Sequence, residues 1–450
     1  MKCEDCRTLL TGHLRGELDE DHRADVEAHL ATCAECATEA EGARRVLVLL
    51  ERASEEPMAK VVNDLIERAV RERASDIHVQ ALSDTCVVRL RIDGMLRDVL
   101  ELPATARELL VDRVKLMAGL SLAERRVAQE GRIQLRAADL DLDLRVSVVP
   151  GVLGESAVMR LLDRHVAIPT LDRLGIAGEP RRRLDELIHR PNGVVFVTGP
   201  TGSGKTTTLY AVLQELNKRS AHVMSVEDPV EVQIDGVTQI PVNVRSGMDF
   251  PACMKVCRRQ DPDVILCGEV RDRETAEAVV ALALTGHLVL SALHTPDSIT
   301  TMRRLIDVGV PRFLLSQALN GATAQVLARR MCRECRKQHP PTKAEVAWLH
   351  EAGVEDVPAK VWRAGQTGAC RCHLGHIGRM AFHEVFTLDE EIRRKLTDGD
   401  DLREIEELAA SRRRSLTKNA AECVLSGEVS VEEAMRVTAF VPRYGKRAEA

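Results

Sequence analysis

The sequence predicts an α/β fold, a mostly parallel sheet covered by helices, preceded by an α+β region. Three observations carry this. Residues 175 to about 330 alternate helical patterns with short apolar runs at Val194–Thr198, Val223–Glu227, Val264–Cys267 and Leu288–Leu293. The first run leads into Gly199-Pro200-Thr201-Gly202-Ser203-Gly204-Lys205-Thr206, and a helical pattern through Leu209, Val212, Leu213 and Leu216 follows. Upstream, Leu140-Asp141-Leu142-Asp143-Leu144-Arg145-Val146 alternates strictly, as a sheet with one face in water requires.

Composition bounds the rest. With 450 residues and 44% hydrophobic content, the chain can fill two or three cores of ordinary domain size. Aromatics are only 2%, which leaves few rings for stacking on bases. The 63 Lys and Arg against 69 Asp and Glu give a net charge of −6, so no global basic field draws the chain to nucleic acid or anionic lipid. No run approaches the roughly 18 apolar residues of a membrane span, and Met1-Lys2-Cys3-Glu4-Asp5 lacks a signal-peptide core. A cytoplasmic protein is expected, held at a membrane only by partners. In that compartment thirteen cysteines read as thiols and metal ligands rather than disulfides.

Along the chain, an amphipathic stretch through Ala43, Val46, Leu47, Leu49 and Leu50 ends at Pro57, a boundary signal. A helical pattern (Val61, Leu65, Ile66, Ala69, Val70) then gives way to strand patterns such as Val87–Ile92, and a helical segment spans Glu390–Val437. There is no internal repeat and no low-complexity stretch.

The stretch Gly199–Thr206 fits G-x-x-x-x-G-K-[ST], the phosphate loop. Residues poor in side chains let backbone N–H groups close around a β-phosphate at the start of the next helix. Gly199 to Thr207 are the candidate ATP-binding residues, with Lys205 neutralising the β and γ oxygens and Thr206 holding Mg²⁺. Hydrolysis also needs carboxylates at strand ends. Asp263-Val264-Ile265-Leu266-Cys267-Gly268-Glu269 and Ser225-Val226-Glu227-Asp228 supply them. Glu227 is the candidate for activating water, and Glu269 and Asp228 for ordering the metal shell. His287 and His294, seven apart around Leu288–Leu293, would face opposite ways on a regular strand. For His294 two roles stand open, γ-phosphate sensing and structure.

At this point the chain resembles the ATPases of type II secretion and type IV pilus assembly. The phosphate loop, Ser225–Glu231, Arg259-Gln260-Asp261-Pro262-Asp263 running into Gly268-Glu269-Val270-Arg271-Asp272, and Thr285–Thr295 are similar to that family's Walker A, aspartate, Walker B and histidine boxes, in order. Ala74-Ser75-Asp76-Ile77-His78, Arg91-Ile92-Asp93-Gly94, Gly131-Arg132, Asp143–Ser147 and Gly154-Glu155 resemble its PAS-like domain. The resemblance spans roughly Met58–Phe440. It implies a RecA-like core in a homo-hexameric ring that works on an inner-membrane platform protein. It also matches Arg132 and Arg145 to arginines that act on nucleotide, and places Arg271 to reach the subunit interface. From sequence alone Arg132 and Arg145 read equally as a solvated strand face. Pro296-Asp297-Ser298, Lys255 and Glu130 depart from the family pattern, and none removes a phosphate, metal or water ligand.

Two cysteine groups suit tetrahedral Zn²⁺. Cys332-Arg333-Glu334-Cys335 is followed by Cys370-Arg371-Cys372-His373, a C-x-C pair where the family has C-x-x-C, so Cys372 or His373 can complete the set. At the other end, H-x-x-x-C puts His29 and Cys33 one helical turn apart, and Cys33-Ala34-Glu35-Cys36 closes a chelate. With Cys3 this resembles the zinc-binding fold of anti-sigma factors, and Cys6 is a spare thiol.

The expected domains are therefore a zinc module at 1–55, a PAS-like domain at 58–163, the ATPase core at 170–330, a cysteine-rich zinc element at 331–385 and a helical region at 386–440. The leading reading is an Mg-ATP-hydrolysing motor for secretion or pilus assembly. The alternative is an ATP-dependent regulator that binds a sigma factor or other partner through its N-terminal module. A DNA translocase is disfavoured by the acidic balance and the scarcity of aromatics, so no nucleic acid is expected.

Overall fold

The structure is a computed structural model describing residues 3, 6, 20–33, 36, 58–137, 140–163, 168–217, 220–365, 372, 374–442 and 444. The chain divides into two compact units, Met1–Arg164 and His165–Ala450. Among the described residues no helix is long and apolar enough to cross a membrane.

In the first unit helix α1 (Glu20–Thr32) buries Val26 beside Cys6 and Cys36. Helix α2 (58–71) follows, burying Val62, Leu65, Ile66 and Ala69 at three- and four-residue spacing. Next come strands β1 (Asp76–Ala81), β2 (Thr85–Ile92) and β3 (Met95–Pro103), then helix α3 (Ala104–Met117). Strands β4 (Gln129–Ala137), β5 (Leu140–Val149) and β6 (Ser156–Asp163) complete an antiparallel six-stranded sheet in the order β3-β2-β1-β6-β5-β4. The alternation in β5 holds for Leu142, Leu144, Val146 and Val148, which are buried, and for Arg145, which is exposed. Asp143 departs from it. Its carboxylate is buried, and Arg132, on the adjacent β4, pairs with it through Nε and Nη2.

In the second unit helix α4 (Glu179–Ile188) precedes β7 (Gly193–Thr198), helix α5 (Lys205–Leu216), β8 (Val223–Glu227) and β9 (Val237–Pro241). Then come α6 (Phe250–Cys257), β10 (Val264–Cys267), α7 (Arg273–Leu284), β11 (Leu288–Leu293), α8 (Thr300–Val308) and α9 (Arg312–Ala318). Strands β7, β8, β10 and β11 are buried at every position, because helices cover both sheet faces.

The boundary expected between 330 and 331 runs into a single strand. β12 (Leu319–Met331) lies parallel to β7, and β15 (His376–Thr387) pairs antiparallel with β12 from Gly321↔Thr387 to Met331↔His376. The sheet therefore has seven strands, ordered β15-β12-β7-β11-β10-β8-β9. The cysteine-rich segment is an excursion from this ribbon, holding β13 (Lys337–His339), α10 (Lys343–Glu351) and β14 (Val361–Arg363). Its far end supplies the sheet's edge strand, while Trp348, Leu349 and Val361 of the excursion pack in a separate apolar cluster with Ala324, Val326 and Ala328 of β12. The helical segment divides into α11 (Glu390–Asp398), α12 (Leu402–Ser411), α13 (Leu416–Leu425) and α14 (Val431–Thr438). Side chains of Asp389, Asp401, Ser415 and Ser430 cap them. Ile392, Leu396, Ile405 and Ala409 enter the same apolar cluster as β11, and Leu416, Val424, Ala434 and Val437 pack with β12 residues.

Candidate nucleotide site and metal centres

Because β7, β11, β10 and β8 are parallel, their carboxyl ends open on one edge, where open α/β sheets bind ligands. The phosphate loop leaves β7 there, Glu227 ends β8, Glu269 lies two residues past β10, and His294 follows β11. Gly199 has a left-handed φ of 144°, and a Cβ at that position would run into the Gln325 carbonyl and Ser203. Gly204 (φ 88°) caps α5 from the left-handed region, leaving Lys205 to begin the helix.

Lys205 is nearly buried, its Nζ 2.9 Å from the Gly199 carbonyl, 3.0 Å from that of Pro200 and 3.4 Å from His294 Nδ1. Burial pushes its ammonium below the usual lysine range, and the Glu269 carboxylate opposes that shift. The other ring nitrogen of His294, Nε2, is 3.4 Å from Glu269, whose carboxylate also pairs with Arg271. Phosphate-loop lysine, histidine, carboxylate and arginine thus form one chain of contacts. Beside it opens a cleft of about 300 Å³ lined by Arg271, His294, Arg303, Arg304 and Asp307. The two histidines are separated by the ends of β11 rather than by its faces: His287, at the opposite end, holds the Leu282 carbonyl at 3.0 Å through Nδ1.

Glu227, the candidate for activating water, is enclosed. It is 3% exposed, and its carboxylate accepts hydrogen bonds from Tyr210 Oη, Ser225 Oγ (2.5 Å) and Gln239 Nε2 (3.1 Å). Both oxygens are occupied by fixed donors, which suits a buried anchor better than a group that takes a proton from water. Glu269, with a side chain 17% exposed, is the carboxylate that faces Lys205 and His294. Asp228 is exposed and Thr206 half-buried at the same edge. Asp263 lies at the far end of β10, where it holds the His222 backbone N–H at 2.7 Å.

Sequence reasoning passed over Gln325. Buried on β12, it donates to the Ser203 carbonyl (2.7 Å) and accepts from Thr208 Oγ1 (2.7 Å), bracing the phosphate loop from beneath. A lone Gln within the apolar stretch Ala322–Leu327 was the available signal. Also unforeseen is the threonine pair beneath the site: Thr198 Oγ1 donates to the Thr295 carbonyl at 3.0 Å and accepts from its N–H at 2.9 Å.

In the first unit, Arg132 and Arg145 are direct cross-strand partners, and Arg145 is in turn opposite Arg160. Arg132 remains 55% exposed despite its pairing with Asp143, and Arg160 pairs with Asp76 at 2.9 Å. Like charges placed directly opposite one another are unfavourable unless acidic groups share the row.

The N-terminal donors Cys3, His29, Cys33 and Cys36 lie within 4.8 Å of one another. His29 Nε2 is buried with no hydrogen-bond partner, as a metal-ligating nitrogen would be in the absence of its ion. Burial and the neighbouring sulfurs push the Cys36 thiol up to about 12, which a divalent cation would reverse. Cys6 is buried in the adjacent apolar cluster. The second group brings the sulfurs of Cys332, Cys335 and Cys372 within 4.8 Å of one another, where β12 leaves and β15 begins. Cys370 and His373 lie outside the described residues. Both donor sets fit zinc.

A phosphate loop at the carboxyl edge of a helix-covered parallel sheet, with a carboxylate and a histidine on the neighbouring strand ends, defines a P-loop ATPase. The family described as "Type II/IV secretion system protein" matches residues 51–436, and the chain belongs to that family. A separate match, to the family described as "Putative zinc-finger", covers residues 3–37. Type II secretion system protein E of Pseudomonas aeruginosa is 42% identical over 391 residues, 87% of this chain and 77% of that protein. Type II secretion system ATPase E of Vibrio cholerae is 41% identical over the same shares. The Legionella pneumophila ATPase DotB superposes with a TM-score of 0.63 at 21% identity, covering 84% of this chain and 95% of that one. The pilus retraction motor PilT with bound ADP gives 0.56 at 24%, covering 83% and 96%. At those identities the two structures show the fold alone.

Proposed function

We propose that the chain is the motor subunit of a homo-hexameric ring that hydrolyses Mg-ATP and drives type II secretion, or assembly of a type IV pilus or pseudopilus, through an inner-membrane platform protein. It works on the cytoplasmic side. The observation that carries this is the continuous contact from Lys205 through His294 to Glu269 at the carboxyl edge of the sheet. Relatives whose printed names include type II secretion system ATPase E support the secretion role.

In this reading Gly199–Thr207 wrap the phosphates and Lys205 offsets their charge. Thr206 and Asp228, with Glu269 beside them, would hold Mg²⁺, which would supply charge neutralisation for the transferring phosphoryl group. Glu269 orients the attacking water, the role first expected of Glu227, and His294 keeps Glu269 and Lys205 in register. Arg132, Arg145 and Arg271 act on the charge that develops during transfer. Steady-state ATP turnover against oligomer size tests the reading. A ring that binds ATP and never turns it over, with or without platform protein, would remove it.

The two cysteine groups would hold structural zinc, one ion per group: the first through Cys3, His29, Cys33 and Cys36, the second through Cys332, Cys335 and Cys372 with a further ligand from Cys370 or His373. Residues 1–55 then form a docking module for a separate protein partner. That supports a second reading, regulation through a bound sigma factor or similar protein, because the zinc-finger match at 3–37 lies wholly outside the motor match at 51–436. Removal of residues 1–57 distinguishes the two: loss of partner recruitment with ATPase activity intact favours a motor with a docking module. Loss of nucleotide-dependent sigma-factor binding favours the regulator.

A further inference from the structure

We infer that Arg413 is a positioning residue for ATP turnover: by bridging Asp297 and Glu384 it holds the turn that presents His294 to Lys205 and Glu269. The inference rests on the reading of His294 as part of the nucleotide site.

Arg413 lies between α12 and α13, far along the chain from the site. Its Nη2 is 3.1 Å from Asp297, in the turn after β11, and its Nη1 is 2.7 Å from Glu384 on β15. Both carboxylates are fully buried, and the arginine side chain is 3% exposed. Tyr444 closes the cluster, donating from Oη to Asp297 at 2.8 Å with its ring centroid 5.4 Å from the guanidinium carbon.

The remaining lone pairs fasten the turn itself. Asp297 accepts from Thr300 N (2.8 Å) and Oγ1 (2.5 Å), while Glu384 accepts from Ser298 N (3.0 Å) and Oγ (2.5 Å). Thr295 Oγ1 donates to the Asp297 carbonyl at 3.0 Å, and Thr295 N–H reaches Thr198, the residue before the phosphate loop. His294 stands between the end of β11 and this tied segment. Its position is thus set from two sides, by the strand and by the buried ion cluster.

Two carboxylates buried together repel, and burial already pushes Glu384 up, with Arg413 the main influence pulling it down. Without the guanidinium, the turn must shift or a carboxyl must take up a proton. Either outcome frees Asp297 to move. Contacts of 3.4 Å at His294 are then lost while the backbone cradle for phosphates is spared, so turnover suffers more than affinity.

The test uses the full-length oligomer and steady-state ATP hydrolysis. Arg413→Lys should lower kcat by about 3- to 30-fold and change KM by less than about twofold. Tyr444→Phe, which removes one donor to Asp297 and keeps the ring, should lower kcat in the same direction, again with KM changed by less than about twofold. Glu433→Gln is the stability control: it breaks the buried pairing with Arg329 and Arg436, and should lower the midpoint while kcat stays at the wild-type value. His294→Gln combined with Arg413→Lys should be no slower than His294→Gln alone. Wild-type kcat in Tyr444→Phe and Arg413→Lys would overturn the inference, as would fully additive losses in the double variant. Should Arg413→Lys fail to fold, Tyr444→Phe decides alone. Wild-type kcat in His294→Gln would remove the site reading and this inference together, whereas a slow His294→Gln beside normal Arg413 and Tyr444 variants removes only the inference.

Discussion

Lys205 of the phosphate loop and His294 of the turn after β11 lie 3.4 Å apart, ammonium nitrogen to Nδ1, although 89 residues separate them. The sheet creates this contact: β7 and β11 are adjacent and in register, with Thr198 opposite Leu293, so whatever follows one strand meets whatever follows the other. The lysine therefore has a counterpart that can report on its surroundings.

On the proposed reading, Lys205→Ala removes charge-assisted bonds to phosphate oxygens. The affinity for ATP should fall by about 10- to 150-fold, the equivalent of one hydrogen bond to a charged group. Equilibrium binding of a fluorescent ATP analogue measures this. Affinity equal to the wild type would show that the loop backbone alone binds the nucleotide.

Glu227→Ala is expected to act first on stability. It strands the donors of Tyr210, Ser225 and Gln239, which the carboxylate now satisfies, at about 1–3 kcal/mol for each donor left without a partner. Urea unfolding should register that loss. A folded, full-stability Glu227→Ala protein without turnover would return the water-activating role to Glu227.

The extent to which all this was legible in the sequence follows from which contacts are local. Val223–Glu227, Val264–Cys267 and Leu288–Leu293 read as strands because each is a short apolar run, and the strands have those bounds. β12 escaped because its residues are buried almost throughout, which erases alternation and leaves thirteen residues as compatible with a helix as with a strand. Gln325, 122 positions from Ser203, could not be assigned to the phosphate loop without β12. Arg413 and Asp297, 116 apart, meet only through tertiary packing, which neither local sequence discloses. The N-terminal ligand set was readable because three of its four ligands lie within eight residues of one another.

Acid sensitivity should include a contribution from His383. Burial on β15 pushes its imidazole down from 6.5 to about 4, so the folded chain keeps it neutral where the unfolded chain protonates it. Its contribution to stability is complete above about pH 6.5 and is lost as pH falls toward 4, about 3 kcal/mol in all. His383→Gln should flatten the stability profile in that window, measured by urea unfolding at successive pH values. An unchanged slope would mean that His383 is not kept neutral by burial.

Metal content should be two zinc ions per chain. Cys33→Ser with Cys36→Ser should bring it to one without loss of ATP turnover, whereas Cys332→Ser with Cys335→Ser should also destabilise the β12–β15 ribbon from which the excursion departs. Elemental analysis of reduced protein prepared without chelator provides the count, and a value of zero would rule out both sites.

The central claim, that Glu269 works with Lys205 and His294 to hydrolyse Mg-ATP, is tested most directly by the turnover and ATP affinity of Glu269→Gln in the full-length oligomer. The account predicts that kcat falls by about 100-fold or more while ATP binds within about twofold of the wild type, since the amide keeps the shape and loses the charge that orders water and metal. Wild-type turnover in Glu269→Gln would contradict it.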